Sequence, residues 1–283
     1  MSRALDHQVS PAARLYLDLL KKCLTREIFD DDDFDVVPRA GSLRGLAARG
    51  ALKVLAARDL RLVRRGQTDP EDKLEGLGRP AKAETMMGSR RLDFLERAVL
   101  RIVSEGVEGD FFEAGCWRGG AAIFLLGALK ALGQGERLVW AADSFDGYPE
   151  PNEASSAVDR LLWSRRDYFA VTRAEFERNV ARYGVGGEGL RVVEGYFDRS
   201  LPEAGVGRLA MIRIDVDGYE GVRAVLDVLY PKLSPGGFVL VDELEVPGCK
   251  RAIEEHFARS GRREEISPIP QRRPKAAYWR KTG

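Results

Sequence analysis

Several residue types that mark particular protein classes are scarce in this chain of 283 residues. The three cysteines, Cys23, Cys116 and Cys249, form an odd number at long spacings, which argues against a disulfide framework and a cysteine zinc site. Only two histidines are present, His7 and His256, so a bound metal would have to be held by carboxylates. Carboxylate oxygens favour Mg²⁺, Ca²⁺ or Mn²⁺ over Zn²⁺.

The chain also lacks long apolar runs and an excess of one charge sign. Its longest apolar runs, such as Ala121–Leu126, are too short to span a bilayer, and the N-terminal residues MSRALDHQVSP contain no apolar signal core. Lys and Arg total 45 against 44 acidic residues, and this balance argues against nucleic-acid binding, which usually needs a basic excess. We therefore expect a cytoplasmic protein with neither a membrane nor a nucleic acid as partner.

Composition and apolar spacing divide the chain into two parts. Residues 10–26 begin with a Ser-Pro cap signal and continue with leucines at helical spacing, and residues 42–65 form a second helical stretch rich in Ala, Leu and Arg. Residues 66–82 carry Gly, Pro and charges and are interpreted as a linker. We predict an N-terminal helical extension and linker over residues 1–82, followed by the main domain over residues 83–283.

Short apolar runs alternate with helical patterns throughout the main domain. Ser89 is the expected cap of the first helix, residues 89–105, and Thr172 with Glu175 forms a capping-box pattern before a later helix. This alternation predicts an α/β fold with a mostly parallel, doubly wound sheet, whose ligand lies outside the carboxyl ends of the strands. The predicted strands are 110–115, 137–143, 190–195, 209–215, 236–243 and 276–281, and the predicted helices between them are 119–132, 172–183, 219–230 and 249–259.

A glycine-rich segment, Glu113 to Gly120, directly follows the first predicted strand. Its glycines let the backbone pass close to a ligand, and the following helix presents free N–H groups. The spacing E-x-G-x-x-x-G-G differs from the dinucleotide fingerprint G-x-G-x-x-G. An acidic residue before the first glycine suits a ligand with a cationic amino-acid end and indicates S-adenosylmethionine, with a purely structural turn as the alternative. Asp143, which ends the second strand, would accept hydrogen bonds from both ribose hydroxyls.

Four acidic residues lie at the ends of the fourth and fifth predicted strands or just beyond them. Neighbouring parallel strands would bring Asp215, Asp242 and Glu243 to one rim, where uncompensated carboxylates repel one another. The set therefore predicts a site for a hard cation, completed by water and substrate oxygens; solvated strand ends are the alternative. Asp217 would act as a general base on a hydroxyl that the metal polarises.

Two loops are further candidates for substrate contacts. Residues 195–202 would close over an adenine ring, with Asp198 either accepting from the adenine amino group or capping the next segment. The loop from about residue 149 to residue 169 is long for this fold, and long ordered loops are often lids. Its aromatic and basic side chains would either grip the acceptor or only pack; they are Trp163, Arg165, Arg166 and Tyr168.

Seven segments in a fixed order resemble the macrocin O-methyltransferase (TylF-like) family, whose members methylate sugar hydroxyls during antibiotic assembly. The resemblance covers roughly residues 80–281 and leaves out the stretch before them. The segments are ETMMGSRRLDFL (84–95), GVEGDFFEAGCWRGGA (106–121), ADSFDGYPEP (142–151), GYFDRSLP (195–202), RIDVDGYEGV (213–222), GGFVLVDE (236–243) and AAYWRK (276–281).

The resemblance implies a Rossmann-like class I methyltransferase fold, S-adenosylmethionine as methyl donor, a glycosylated small molecule as acceptor, and a homodimer. It further implies that Asp215 and the pair Asp242–Glu243 bind Mg²⁺ and that Asp217 is the base. The cofactor-site residues implied by the motifs are Glu113, Gly115, Gly119, Gly120, Asp143 and Ser144, with Thr85 and Met86 in a lid over the cofactor.

The chain departs from the family pattern at two places. The family's acidic pair is typically Asp-Asp, whereas this chain has Asp242–Glu243, in which glutamate is longer by one methylene. Val216 and Gly218 stand where the family typically has Gly and a bulky apolar residue, a change that would reshape the acceptor pocket beside Asp217.

Three alternatives to a sugar O-methyltransferase stay open. A metal-dependent methyltransferase of a catechol or other phenol would share the carboxylates and differ only in its acceptor pocket. The missing G-x-G-x-x-G motif argues against a nucleotide-binding oxidoreductase. The converging acids argue against a non-catalytic binding module.

Overall fold

The computed structural model describes residues 9–29, 32–36, 42–66, 68–77, 82–151, 157–262, 264–272 and 275–283, with only the backbone described at 32–35 and 65. Helix α1 (Pro11–Leu24) begins after Ser10, whose hydroxyl oxygen accepts from the Ala13 N–H at 3.1 Å, as the Ser-Pro signal predicts. Strands β1 (Asp32–Asp35) and β2 (Val63–Gly66) pair antiparallel and flank α2 (Leu43–Ala56) in the chain. A short helix, α3 (Pro70–Glu75), follows.

The prediction of one helical stretch over residues 42–65 is wrong at its C-terminal end. Helix α2 ends at Ala56, and the chain turns at Asp59, whose φ is 56°, before it enters β2. Pairing with β1 satisfies backbone groups that a longer helix would have bonded internally.

After residue 83 the chain alternates strands and helices as the sequence predicts. Its seven-stranded sheet has the order β5-β4-β3-β6-β7-β9-β8, in which β3 to β7 are parallel and β9 runs antiparallel to both of its neighbours. The predicted α/β, mostly parallel fold is therefore confirmed. The elements are α4 (Ser89–Ser104), β3 (Asp110–Ala114), α5 (Gly120–Ala131), β4 (Val139–Asp143), α6 (Ala157–Trp163), α7 (Arg166–Phe169), α8 (Arg173–Arg182), β5 (Leu190–Glu194), α9 (Phe197–Glu203), β6 (Leu209–Ile214), α10 (Tyr219–Leu229), a 3₁₀ turn (Tyr230–Lys232), β7 (Leu233–Val241), α11 (Pro247–Ser260), β8 (Ser267–Pro268) and β9 (Ala277–Arg280).

The strand order reverses between β3 and β6, because β4 and β5 lie on one side of that pair and β7 on the other. Ligands of open α/β sheets bind at such a switch point. Ala114 pairs with Ile214, which in turn pairs with Val241. The next residue of each strand therefore leaves the sheet at one edge, and these residues are Gly115, Asp215 and Asp242.

Apolar side chains cover both faces of the sheet, as expected of buried parallel strands. On one face α1 packs with α4 and α5, and its Leu17, Leu20 and Leu24 are buried in the same cluster as Phe124. On the other face α10 and α11 bury a second cluster that includes Leu226. The N-terminal helix thus helps to support the sheet. In the described ranges no helix is both long and apolar enough to cross a membrane.

Of the two helix caps predicted after residue 83, one is present. The Thr172 hydroxyl oxygen accepts from the Glu175 N–H at 3.2 Å, so this cap is confirmed. The cap predicted at Ser89 is wrong: α4 is preceded by Gly88, and the Ser89 hydroxyl donates to Glu27 at 2.6 Å instead. A Cβ at Gly88 would lie 2.1 Å from the carbonyl oxygen of Leu74, so the close approach of α3 requires glycine there.

Candidate active site

The glycine-rich loop after β3 turns tightly beside the end of β6. Gly115 has a φ of 83°, and a Cβ at this position would lie 2.2 Å from the carbonyl oxygen of Asp215. Gly119, with a φ of 91°, immediately precedes α5. The loop therefore needs glycine both for its conformation and for its contact with β6, and it leads into the N-terminus of α5.

The segment Glu84–Met87 lies directly on this loop. The Gly120 N–H donates to the Glu84 carbonyl oxygen at 3.0 Å, and a Cβ at Gly120 would lie 2.5 Å from the Cβ of Thr85. Arg91 donates to the carbonyl oxygen of Met86 at 2.9 Å. The structure thus brings Thr85 and Met86 next to the glycine-rich loop.

Asp143, at the end of β4, connects the glycine-rich loop to the next one. Its Oδ2 accepts from the N–H groups of Cys116 and Trp117, both at 3.0 Å, and its Oδ1 accepts from the Phe145 N–H at 3.1 Å. Trp117 and Phe145 have φ values of 44° and 55°, which residues with a side chain rarely adopt. The carboxylate of Asp143 therefore stabilises two unfavourable backbone conformations. Burial raises its pKa, and these N–H groups oppose the rise.

A buried arginine lies at the centre of the acidic cluster. Arg213 stands on β6, all of whose residues are buried, and contacts Glu113 through Nη1. Its Nη2 donates to Asp215 at 2.8 Å and also to Asp242. Arg91 donates to Asp242 as well, at 3.2 Å.

Sequence reasoning identified these carboxylates but missed both arginines. It inferred a bound cation because converging carboxylates repel one another, and the guanidinium of Arg213 provides such a positive charge. The available signal was an arginine inside the buried strand Leu209–Ile214, where an unpaired charge would be very unfavourable.

The two deepest carboxylates of the cluster differ in their pKa values. Burial raises the pKa of Glu113 to about 8, although Arg213 opposes the rise. Burial also favours the neutral form of Asp242, but Arg213 and Arg91 together hold its pKa below the usual range. The Oε2 atom of Glu113 is buried and has no hydrogen-bond partner among the residues that the structure describes. One buried carboxylate oxygen beside the glycine-rich loop is therefore left without a donor from the described part of the chain.

Asp217 lies two residues beyond Asp215 and accepts a hydrogen bond from the Tyr148 hydroxyl. Burial raises the pKa of Asp217 to about 6; the bond from Tyr148 opposes this rise and the charge of Asp215 adds to it. Burial and the neighbouring carboxylate raise the pKa of Tyr148, so its hydroxyl stays a donor. A carboxylate with a pKa near 6 is well suited to accept a proton near neutral pH.

The third predicted metal ligand faces a lysine. Glu243 pairs with Lys275, whose Nζ lies 2.5 Å from Oε1. Burial raises the pKa of Glu243, and Lys275 opposes the rise. Within the described ranges, no group of three or more His, Cys, Asp or Glu side chains is arranged to hold a metal ion.

The remaining predicted residues lie in turns near the rim. The Ser144 hydroxyl donates to the Gly147 carbonyl oxygen at 2.7 Å and accepts from the Asp146 N–H at 3.2 Å, so it shapes the turn after β4. Asp198 lies in the first turn of α9, which has no side-chain cap, and its side chain is 67% exposed beside Arg199.

The predicted lid contains two short helices, α6 and α7, while its residues 152–156 lie outside the described ranges. The guanidinium of Arg166 lies 3.9 Å from the ring centroid of Trp163, and Tyr168 packs edge-on against Phe169. A Cβ at Gly218, next to Asp217, would lie 3.4 Å from Oδ1 of Asp159, on α6. Trp163 and Tyr168 thus each pack against a neighbour in this segment, and α6 lies close to the acidic rim.

Known proteins are similar to this chain over nearly its whole length. The family model for macrocin-O-methyltransferase (TylF) matches residues 13–281, which extends the resemblance well before residue 80. The 8-demethyl-8-(2,3-dimethoxy-alpha-L-rhamnosyl)-tetracenomycin-C 4'-O-methyltransferase of Streptomyces olivaceus is 37% identical, over 96% of this chain and 94% of that protein. Mycinamicin III 3''-O-methyltransferase of Micromonospora griseorubida is 35% identical, over 96% of this chain and 98% of that protein.

A solved structure agrees with these sequence relationships. The O-methyltransferase NovP has 32% sequence identity and a TM-score of 0.79, over 96% of this chain and 100% of that chain. From the match over residues 13–281 and from these relatives, we conclude that the chain belongs to the macrocin-O-methyltransferase (TylF) family of O-methyltransferases.

Proposed function

We propose that the protein transfers the methyl group of S-adenosylmethionine to a sugar hydroxyl of a glycosylated natural product. Membership in a methyltransferase family implies the donor. The sugar acceptor rests on the names of two relatives, one of which acts on a rhamnosyl tetracenomycin and the other on mycinamicin III. The observation that carries the proposal is the position of Asp217, a carboxylate with a raised pKa, close to the glycine-rich loop. Asp217 lies two residues beyond Asp215, and the carbonyl oxygen of Asp215 packs against Gly115 of that loop.

The donor site in this proposal surrounds the glycine-rich loop. The Oε2 atom of Glu113, to which no described residue donates, would accept from the ammonium group of the donor. Thr85 and Met86 would cover the donor, and Asp198 would accept from its adenine amino group. The remaining donor-site residues in this proposal are Gly115, Gly119, Gly120, Asp143 and Ser144.

A divalent cation, Mg²⁺ by preference, is part of the proposal. Carboxylate oxygens are the ligands that hard cations select, and the side chains of Asp215 and Glu243 are 31% and 23% exposed. Together with Asp242 they would hold the cation, which would lower the pKa of the acceptor hydroxyl. The cation would compete with Lys275 for Glu243, so we expect metal binding to weaken that ion pair.

The residues of the chain would orient the two substrates and take up one proton. The methyl group is already activated because it is bound to a sulfonium. The donor site would hold it in line with the acceptor oxygen. As the oxygen–carbon bond forms and the carbon–sulfur bond breaks, Asp217 accepts the hydroxyl proton. The products are the methyl ether and S-adenosylhomocysteine.

Methyl transfer to glycosylated acceptors and to catechols, with and without Mg²⁺, tests this function directly. We expect turnover of glycosylated acceptors, loss of turnover in excess chelator, and its return with Mg²⁺. The variant Asp217→Asn should lower kcat about 10²- to 10⁴-fold with unchanged affinity for S-adenosylhomocysteine. The exposed Asp146→Asn variant is the matched control. Turnover of catechols alone would show that the acceptor is a catechol and not a sugar. Full activity in excess chelator would show that the reaction needs no metal ion.

Three further expectations stay predictions. The chain is expected to be a homodimer, to lie in the cytoplasm, and to have no nucleic acid as partner. Light scattering of the purified protein tests the first expectation, and a polyanion-binding assay at physiological salt tests the third.

A further inference from the structure

We infer that Tyr148 is a positioning residue for the base: its hydroxyl holds one oxygen of Asp217, so that the other oxygen takes the proton of the acceptor. This inference rests on the proposed role of Asp217 as general base. Nothing in the sequence pattern singled out Tyr148 for that role.

The hydrogen bond joins two loops that leave the sheet at different strands. Tyr148 follows β4, Asp217 follows β6, and the Tyr148 hydroxyl donates to Oδ2 of Asp217. Both side chains are half-buried. A hydrogen bond to a carboxylate is among the stronger hydrogen bonds of a protein, and it removes rotational freedom from the carboxyl group.

Tyr148 is itself held on both sides. The preceding turn is closed by the bond from Ser144 to the Gly147 carbonyl oxygen, and a Cβ at Gly147 would lie 2.9 Å from the carbonyl oxygen of Arg166. The ring of Tyr148 packs at right angles against Phe169, with 5.2 Å between the ring centroids. The phenol therefore has little room to move away from Asp217.

This arrangement leaves one oxygen of the base for chemistry. With Oδ2 bonded to a group that stays protonated, Oδ1 is the atom that receives the acceptor proton. Proton transfer requires a near-linear approach between the heavy atoms, and a freely rotating carboxylate would meet that requirement less often. Tyr148 thus affects the rate of the chemical step and leaves donor binding unaffected.

A double-mutant cycle with Tyr148→Phe and Asp217→Ala tests the inference. Phenylalanine keeps the edge contact with Phe169 and removes only the hydroxyl. We expect Tyr148→Phe to lower kcat about 10- to 100-fold in the wild-type background, with little change in the KM of the donor. In the Asp217→Ala background the same change should alter the residual rate less than about twofold, because its partner is absent. A tritium-labelled methyl donor makes that residual rate measurable.

The outcomes separate this inference from the proposed function. If Asp217→Ala keeps full activity, the proposed base is wrong. If that variant is impaired but Tyr148→Phe matches the wild-type kcat, the positioning role is wrong and the base stands. An equal loss from Tyr148→Phe in both backgrounds would mean that the hydroxyl only supports the loop. The variant Phe169→Leu keeps the Tyr148 hydroxyl and removes the ring against which Tyr148 packs. We expect a lower kcat with unchanged affinity for S-adenosylhomocysteine. An unchanged kcat would show that Phe169 is not needed to hold Tyr148 in place.

Discussion

Arg213 and Glu113 form an ion pair between β6 and β3 in which each side chain is only 2% exposed. Asp242, also 2% exposed, shares the same guanidinium. Removing charges from water is unfavourable, and the cluster is stable only while every charge keeps its partner. The same two strands have an exposed counterpart at their other ends. Arg208, just before β6, pairs with Glu108, just before β3, and the two side chains are 64% and 73% exposed.

The contrast between the two pairs gives a stability prediction. Arg213→Met leaves Glu113 and Asp242 without their main counter-charge and should lower the free energy of unfolding by about 3–5 kcal/mol. Arg208→Met removes an exposed pair and should lower it by less than about 1 kcal/mol. Urea unfolding followed by circular dichroism measures both values. Equal effects of the two substitutions would contradict a structural role for Arg213 in the buried cluster.

The fold was predictable because apolar runs and helical patterns alternate clearly after residue 83. The acidic rim was predictable for the same reason, since parallel strands end at one edge of a sheet. The side chains that form ion pairs with these carboxylates were not predictable. A strand pattern does not reveal which side chain occupies the space between two carboxylates, and so Arg213 and Arg91 were missed.

Local signals failed where tertiary contacts override them. Ser89 has the composition of a cap, but the close packing of Gly88 against Leu74 moves the helix start, and Ser89 bonds to Glu27 instead. The helical composition of residues 42–65 does not reveal that β2 finds a partner strand in β1. Both errors come from contacts between segments far apart in the chain.

Asp143 offers a test of how the glycine-rich loop keeps its shape. An asparagine side chain has one acceptor oxygen, so Asp143→Asn cannot serve both Trp117 and Phe145, which donate to different oxygens. We expect a loss of affinity for S-adenosylhomocysteine of about tenfold or more, measured by calorimetric titration. Asp146→Asn, at an exposed position three residues on, is the control and should leave the affinity unchanged. An unaltered affinity of the Asp143 variant would show that the loop keeps its shape without these bonds.

Substitutions at two glycines with similar φ angles allow the cost of backbone strain to be measured apart from the cost of a steric clash. Gly115 and Gly133 have φ values of 83° and 69°, but a Cβ at Gly133 would meet no atom within 4 Å, whereas one at Gly115 would collide with Asp215. Gly133→Ala should destabilise the fold by about 1–2 kcal/mol through its backbone conformation alone. Gly115→Ala should destabilise it by about 3 kcal/mol or more and weaken donor binding, because β3 and β6 must separate. Thermal unfolding and titration with S-adenosylhomocysteine measure the two effects, and equal losses would rule out the steric argument.

The burial of His256 makes stability depend on pH. Burial lowers the pKa of His256 below the usual 6.5, and its ring packs edge-on against Tyr230. Within the described part of the chain its Nε2 has no hydrogen-bond partner. As the pH falls below about 6.5, the unfolded chain takes up a proton before the folded one does, so stability is lost until the folded-state pKa is passed. The variant His256→Leu lacks this proton uptake and should lose less stability than the wild type between pH 7.5 and pH 5.5, values chosen to bracket the usual histidine pKa of about 6.5. Urea midpoints at the two pH values measure the difference. Parallel losses in wild type and variant would assign the acid sensitivity to other groups.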